Sequence, residues 1–256
     1  MQTWERAEIQ RSSVEAGLTS DASLKVSART FARYLAPASD TPYPLEYCYH
    51  LLGDVRGLRV VDFGCGSGAN TVLLATRGAE VWGVDISEDL IRLAGRRLAV
   101  NGRAGRARFV VGSAHDLPFP DGSVDVLFGI AVLHHLDLAL VSREVHRVLR
   151  PGGRAIFQEP VRNSRAIRVL RALIPYRAPD VSPYERPLTD AELRAFASPF
   201  PNVRVRAFGL PHVALGQVLP GVREHVSSLY STDATILRAF PVLRHYAGIR
   251  VIEVTK

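Results

Sequence analysis

Val60-Val61-Asp62-Phe63-Gly64-Cys65-Gly66-Ser67-Gly68 is an apolar run that passes directly into a turn with glycine at every second position. β-Branched and aromatic residues suit a pleated, half-buried strand. Glycine admits positive φ and lets backbone approach another group with no Cβ in between. The stretch therefore reads as a strand ending in a glycine turn that opens a helix. In open α/β sheets, ligands sit outside the carboxyl ends of such strands.

Working outward, short apolar runs alternate with helical patterns from Leu58 to Phe157, as expected for βαβ units and a parallel sheet. Strands are predicted at Leu58–Phe63, Glu80–Asp85, Ala107–Val111, Val124–Ile130 and Arg154–Phe157. Helices are predicted at Ser67–Arg77, Ser87–Val100 and Leu138–Leu149, the last stopped by Pro151-Gly152-Gly153. Val203–Phe208 and Ile249–Thr255 read as two final strands, with a helix over Asp233–Leu243 between them. The fold class expected is α/β, a Rossmann-like doubly wound, mostly parallel sheet of about seven strands.

The flanks lack this regularity. Residues 1–50 are expected to form an N-terminal helical or lid segment, and residues 51–256 the main domain. An insertion at about 160–202, with a helical pattern at Ser164–Ile174, several prolines and a capping box at Thr189–Glu192, reads as a substrate lid.

The formal net charge is +7, carried almost wholly by arginine because only Lys25 and Lys256 are lysines. Arg92, Arg96, Arg97, Arg103, Arg106 and Arg108 form one concentration, and Arg162, Arg165, Arg168 and Arg171 another. Elsewhere the charge is spread, which reads as a solvated surface, and nucleic acid is disfavoured as a partner. The first residues carry no apolar signal-peptide core. No apolar run approaches the roughly 20 residues needed to span a bilayer. Only Cys48 and Cys65 are present, so no disulfide framework is expected. A cytoplasmic protein is the expectation.

The glycine turn alone does not name its ligand. Gly64, Gly66 and Ala69 also satisfy the dinucleotide pattern, with Asp85 at the end of the next strand. Asp62, immediately before the glycines, would repel a pyrophosphate but suits a ligand with a cationic sulfonium and an ammonium group, such as S-adenosylmethionine. Asp85 serves either ligand, since a carboxylate offers two acceptor oxygens to the hydroxyls of a ribose.

With V-D-I-S at Val84–Ser87, D-L-P-F-P-D-G-S at Asp116–Ser123, V-D-V-L at Val124–Leu127, V-L-H-H-L at Val132–Leu136 and L-R-P-G-G-R at Leu149–Arg154, the chain resembles the class I S-adenosylmethionine-dependent methyltransferases of the UbiE-like small-molecule group. The resemblance is close over Leu58–Glu159 and loose at the termini. It implies that Asp62, Gly64, Cys65, Gly66 and Gly68 hold the methionine part and Asp85 the ribose. It also implies that Ile86 covers one adenine face, Ser113, Ala114 and His115 meet its polar edge, and Gly129 to Ala131 line the cofactor near the sulfonium. Many relatives carry an aspartate where this chain has Ser113, so the contact to the adenine amino group is expected to be weaker here or to come from His115 or Asp116.

The implied activity is methyl transfer to an O, N, C or S atom of a small-molecule acceptor. His134 and His135, following the fourth strand, and Glu159, ending the fifth, are the candidate catalytic residues, because an imidazole or carboxylate can take a proton from the acceptor. Tyr34, Tyr43, Tyr49 and Tyr184 are candidate lid residues. The adjacent histidines lack the i, i+4 spacing of a helical zinc pair, and no metal is expected. Alternatives are an RNA methyltransferase, a cofactor-binding protein or cyclase on the same fold that transfers no methyl group, and a nicotinamide dehydrogenase.

Overall fold

The computed structural model describes residues 9, 10, 12–14, 17, 19–165, 186–218 and 226–256. Among them, no helix is long and apolar enough to cross a membrane.

The quoted run forms strand β1 (Arg59–Phe63), hydrogen-bonded in parallel to β2 (Glu80–Asp85) on one side and β4 (Val124–Ile130) on the other. Strand β3 (Ala107–Val111) pairs with β2, and β5 (Leu149–Pro160) with β4, all parallel. Helices α1 (Ala28–Leu35) and α2 (Pro44–Leu52) precede the sheet. Helices α3 (Ala69–Thr76), α4 (Glu88–Val100) and α5 (Leu138–Val148) make the crossovers. Helix α6 (Asp190–Ala197) then leads to β6 (Asn202–Phe208), α7 (Pro211–Val218), α8 (Val226–Ala239) and β7 (Ile249–Thr255).

The seven strands lie in the order β3-β2-β1-β4-β5-β7-β6. Strand β7 alone runs against the others, and its pairing with β6 begins at Phe208 opposite Ile249. The helices between β6 and β7 leave and rejoin the sheet at the same end of its strands, so β7 runs antiparallel to β6.

Alternation along the strands splits the core in two. Val61, Phe63, Leu127, Phe157 and Ile252 face α5 and α6, whereas Val60, Val126, Phe128, Ile156 and Val251 face α2 and α3. Local caps set the helix entries. Ser87 Oγ accepts from Leu90 N, Asp137 accepts from Ala139 N and Leu140 N, and Thr189 with Glu192 forms the reciprocal capping box expected from the sequence.

Three expected boundaries compare with the structure as follows. Helix α2 crosses residue 50 and buries Cys48, Tyr49 and Leu52 against the sheet, so the chain does not divide there. The expected lid at 160–202 lies partly outside the described residues. Within them, Leu193, Phe196 and Phe200 of its second half pack in the core beside α5. The described part is therefore a wall of the domain. Finally, Pro151-Gly152-Gly153 ends α5 but is itself incorporated in β5, with an irregular register against β4 between Val124 and Val126.

Candidate functional site

A cavity of about 200 Å³ lies at the carboxyl ends of β1, β2 and β4. Phe63, Gly64 and Gly66 of the glycine turn form one side, and Val84, Asp85 and Ile86 the end of β2. Gly112, Ser113 and Ala114 follow β3; Ala131, Val132, His135 and Leu136 follow β4; and Leu90 and Ser12 close the rim.

Two backbone N–H groups anchor Asp85 at this rim. Gly66 N donates to Oδ2 and Ser87 N to Oδ1, each at 2.9 Å. The carboxylate therefore ties the glycine turn to the entry of α4. Each of its oxygens can accept more than one hydrogen bond. Gly66 has φ +51°, and a Cβ built there meets no protein atom within 4 Å, so its backbone faces the cavity unshielded. Gly68 serves packing instead. With φ +78°, it brings the start of α3 so close to α4 that a Cβ would lie 2.8 Å from Ala94 Cβ.

Asp62 stands behind the turn rather than in the cavity wall. It is 1% exposed and accepts a hydrogen bond from the Thr71 hydroxyl. Burial pushes its carboxyl up to about 7 and the neighbouring Asp85 adds to the rise, while the Thr71 hydrogen bond opposes both. Cys65 is buried, its thiol raised well above the ordinary range chiefly by burial. It contributes backbone: Gly64 N and Cys65 N both donate to Val84 O, fastening the turn to β2.

The loop after β4 is organised by Glu159. This side chain is 0% exposed. Its Oε1 accepts from Val132 N at 2.9 Å and Leu133 N at 2.8 Å, and its Oε2 from His134 N at 3.4 Å and His134 Nδ1 at 2.8 Å. Immediately before this cluster, Ala131 has φ +55°, the only positive φ of a non-glycine among the described residues, and its N–H donates to Gln158 O at 2.8 Å. A left-handed alanine is strained and persists only where its surroundings over-determine it. Here the end of β5 does so.

Several sequence expectations are corrected by this geometry. Glu159 is enclosed, accepts from the β4-following loop through both oxygens, and lies outside the cavity lining. His134 is turned toward Glu159, whereas His135, whose ring centroid lies 4.1 Å from that of His134, lines the cavity. His115 Nε2 accepts from Asp137 N at 3.0 Å. The neutral ring therefore carries its proton on Nδ1, beside Ser113 Oγ at 3.3 Å, and braces the loop outside the cavity wall. Gly129 admits the Phe157 ring, which a Cβ would meet at 2.7 Å, and is not part of the lining.

None of the three described lid candidates, Tyr34, Tyr43 and Tyr49, lines the cavity. Tyr49 is 0% exposed in the core, donating to Asn70 Oδ1 at 2.9 Å, and Tyr34 packs on it. Tyr43 packs against Tyr230, and Tyr184 lies outside the described residues. The N-terminal segment does reach the cavity, but through Ser12, while Ser13 Oγ donates to Asp89 Oδ2 at 2.6 Å. Its weak periodicity held no sign of this. Leu90 and Gly112 also line the cavity without having been expected there, each beside a recognised motif, whereas Ala131 lies where the resemblance put it.

The first arginine concentration is largely absorbed locally. Arg92 pairs with Glu88 and Asp89, Arg96 pairs with Asp21, and Arg108 covers Trp82 at 4.9 Å. Of the second, Arg168 and Arg171 lie outside the described residues.

Comparison with known proteins agrees with this architecture. A family model described as a methyltransferase domain matches residues 61–157. The O-methyltransferase rstn1 of Aspergillus nomiae is 40% identical over 107 residues, covering 40% of this chain and 47% of that protein. The ubiquinone/menaquinone biosynthesis C-methyltransferase UbiE of Azotobacter vinelandii is 36% identical over 128 residues, 48% of this chain and 50% of its own length. The chain thus spans about half the length of these curated relatives. A geranyl diphosphate methyltransferase, solved with GPP and sinefungin, superposes with a TM-score of 0.57 at 21% identity, over 81% of this chain and 76% of that one. At this identity the likeness concerns the fold.

Proposed function

We propose that this chain, whose residues 61–157 match a methyltransferase-domain model and whose similarity extends to a UbiE C-methyltransferase, binds S-adenosylmethionine in the cavity at the glycine turn and methylates a small-molecule acceptor. The observation that carries the proposal is Asp85, held by Gly66 N and Ser87 N at the cavity rim, where a nucleoside ribose would be recognised. The unshielded backbone at Gly66 fits the methionine part, Ile86 and Leu90 supply apolar contact for a purine, and Ser113 and Ala114 meet its edge.

When bound, S-adenosylmethionine supplies a methyl group on a sulfonium, which needs no further activation. The protein's task is then placement, which contributes roughly 7–11 kcal/mol in favourable cases. Val132, Leu136 and Ala131 exclude water from the β4 side of the cavity, and the Glu159-anchored loop holds His135 in its wall. His135 is the residue placed to take a proton from a hydroxyl, amine or thiol acceptor. His134 and Glu159 position it. The local pairing of Arg92, Arg96 and Arg108 favours a small acceptor over RNA.

Titration calorimetry with S-adenosylmethionine and S-adenosylhomocysteine tests the cofactor site. The wild-type chain should bind one equivalent. Asp85→Ala should bind about 10–150-fold more weakly, equivalent to about 1.5–3 kcal/mol for hydrogen bonds to a charged group. Unchanged affinity in the variant would place the ribose elsewhere, and no binding by the wild type would remove the cofactor reading altogether. Incubation with methyl-labelled cofactor and separate small-molecule and RNA fractions should put label only in the small molecules.

A further inference from the structure

A second cavity, also of about 200 Å³, shares no lining residue with the first. It is formed by the edge strand β6, helix α8 and the turn of 3-10 helix at Pro241–Tyr246. Four strand spacings separate β6 from β1, roughly 19 Å at about 4.8 Å each. A small acceptor seated beside His135 would not reach it.

Arg206, Arg238 and Arg244 line this cavity, with Phe208, Leu237 and Pro241 as apolar wall. Among the described residues, none of the three arginines forms an ion pair. The one carboxylate in the wall, Asp233, is 1% exposed and committed to backbone, accepting from Gly209 N at 3.0 Å and Leu210 N at 2.8 Å. It orders the β6–α7 turn and, among the described residues, forms no ion pair with these arginines.

Arg206 is held in place by neutral groups. It donates to Ser39 O at 3.0 Å and Thr41 O at 2.9 Å, and its guanidinium carbon lies 4.6 Å from the Tyr47 ring centroid and 4.7 Å from that of Phe208. A guanidinium carries five N–H donors, so these carbonyls leave it capacity toward the cavity. Its charge is disfavoured chiefly by burial; Tyr47 opposes this, Arg238 adds to it, and Asp40 gives a smaller opposing attraction. A fixed, partly desolvated cation beside two further guanidiniums is a preorganised oxyanion receptor.

From this convergence we infer that the β6–α8 cavity is an anion site for a phosphate- or pyrophosphate-bearing small molecule, separate from the cofactor cavity. Three arginines can address several phosphoryl oxygens at once, and the Phe208–Leu237–Pro241 wall accommodates an apolar body attached to them.

Inorganic phosphate and pyrophosphate are the probes, titrated into the whole chain by calorimetry at constant ionic strength made up with chloride. Pyrophosphate should bind saturably at one equivalent and more tightly than phosphate. The double variant Arg238→Glu/Arg244→Glu changes two exposed side chains and should lose at least about tenfold in affinity, with the melting temperature of the ligand-free protein unchanged. Should that melting temperature fall, Arg238→Gln/Arg244→Gln gives the same readout without charge reversal. Absence of binding beyond the chloride control, several weak equivalents instead of one, or equal affinity in the glutamine variant would each overturn the site.

Discussion

Replacing Glu159 tests the assignment of this carboxylate to loop architecture. In Glu159→Ala, the Val132 and Leu133 N–H groups and His134 Nδ1 lose their acceptor in a region closed to water. A buried donor left unpaired costs about 1–3 kcal/mol, so the three together amount to about 3–9 kcal/mol. Native domains hold about 5–15 kcal/mol in total, so the alanine variant should be severely weakened. Glu159→Gln should differ. Its amide oxygen can still accept from Val132 and Leu133, and the imidazole of His134 can change tautomer to accept from the new NH2 group. The expected loss there is about 1–2 kcal/mol. Urea denaturation of both variants, followed by far-UV circular dichroism, measures the difference. Hydrogen exchange of the Val132 and Leu133 amides should accelerate in the alanine variant. An alanine variant within about 1 kcal/mol of wild type, or a glutamine variant as damaged as alanine, would refute the reasoning.

Asp62 should make stability depend on pH in an unusual direction. Its folded carboxyl is raised to about 7, so between about pH 4 and pH 7 the unfolded chain releases a proton that the folded chain retains. Stability attributable to this group is therefore present at low pH and lost as pH rises, by about 4 kcal/mol in all. Asp62→Asn keeps an acceptor for Thr71 and removes the titration. Relative to wild type it should be more favourable at pH 8 than at pH 5, and equal differences in urea midpoints at the two pH values would contradict this. The glycines of the turn should separate in their effects. Gly66→Ala costs about 1 kcal/mol for its left-handed backbone and should lower S-adenosylhomocysteine affinity at least about tenfold by entering the cavity. Gly68→Ala collides with Ala94 and should cost about 1–3 kcal/mol more in stability. Calorimetry and denaturation on the same two proteins distinguish the patterns; a greater stability loss in Gly66→Ala would reverse the assignments.

Most of the central sheet is legible in the sequence. Val60–Phe63, Val124–Ile130 and Ile249–Thr255 are β-rich runs bounded by turn residues, and Ser87 and Thr189 carry helix caps within three or four residues of their partners. Asp85 and the glycine turn are recognisable for the same reason, because a strand end, a glycine series and a second strand end recur at a spacing imposed by one βαβ unit. Motif membership is less informative about individual roles. The resemblance puts Gly129 and His115 at the cofactor, yet one admits Phe157 and the other braces Ser113 and Asp137.

What the sequence determined by itself is local and periodic: the strands, the helix entries, and the turn from Val60 to Gly68, where backbone conformation and strand alternation depend on near neighbours. Tertiary structure alone decided the parts that depend on distant partners. Glu159 found its donors 25 to 27 residues earlier, Tyr49 found Asn70 in the core, and Arg206, Arg238 and Arg244 met around one cavity. A side chain's charge and hydrogen-bonding capacity are written in its identity, but whether they face solvent, a ligand or a buried backbone group follows from the packing of elements far apart in the chain.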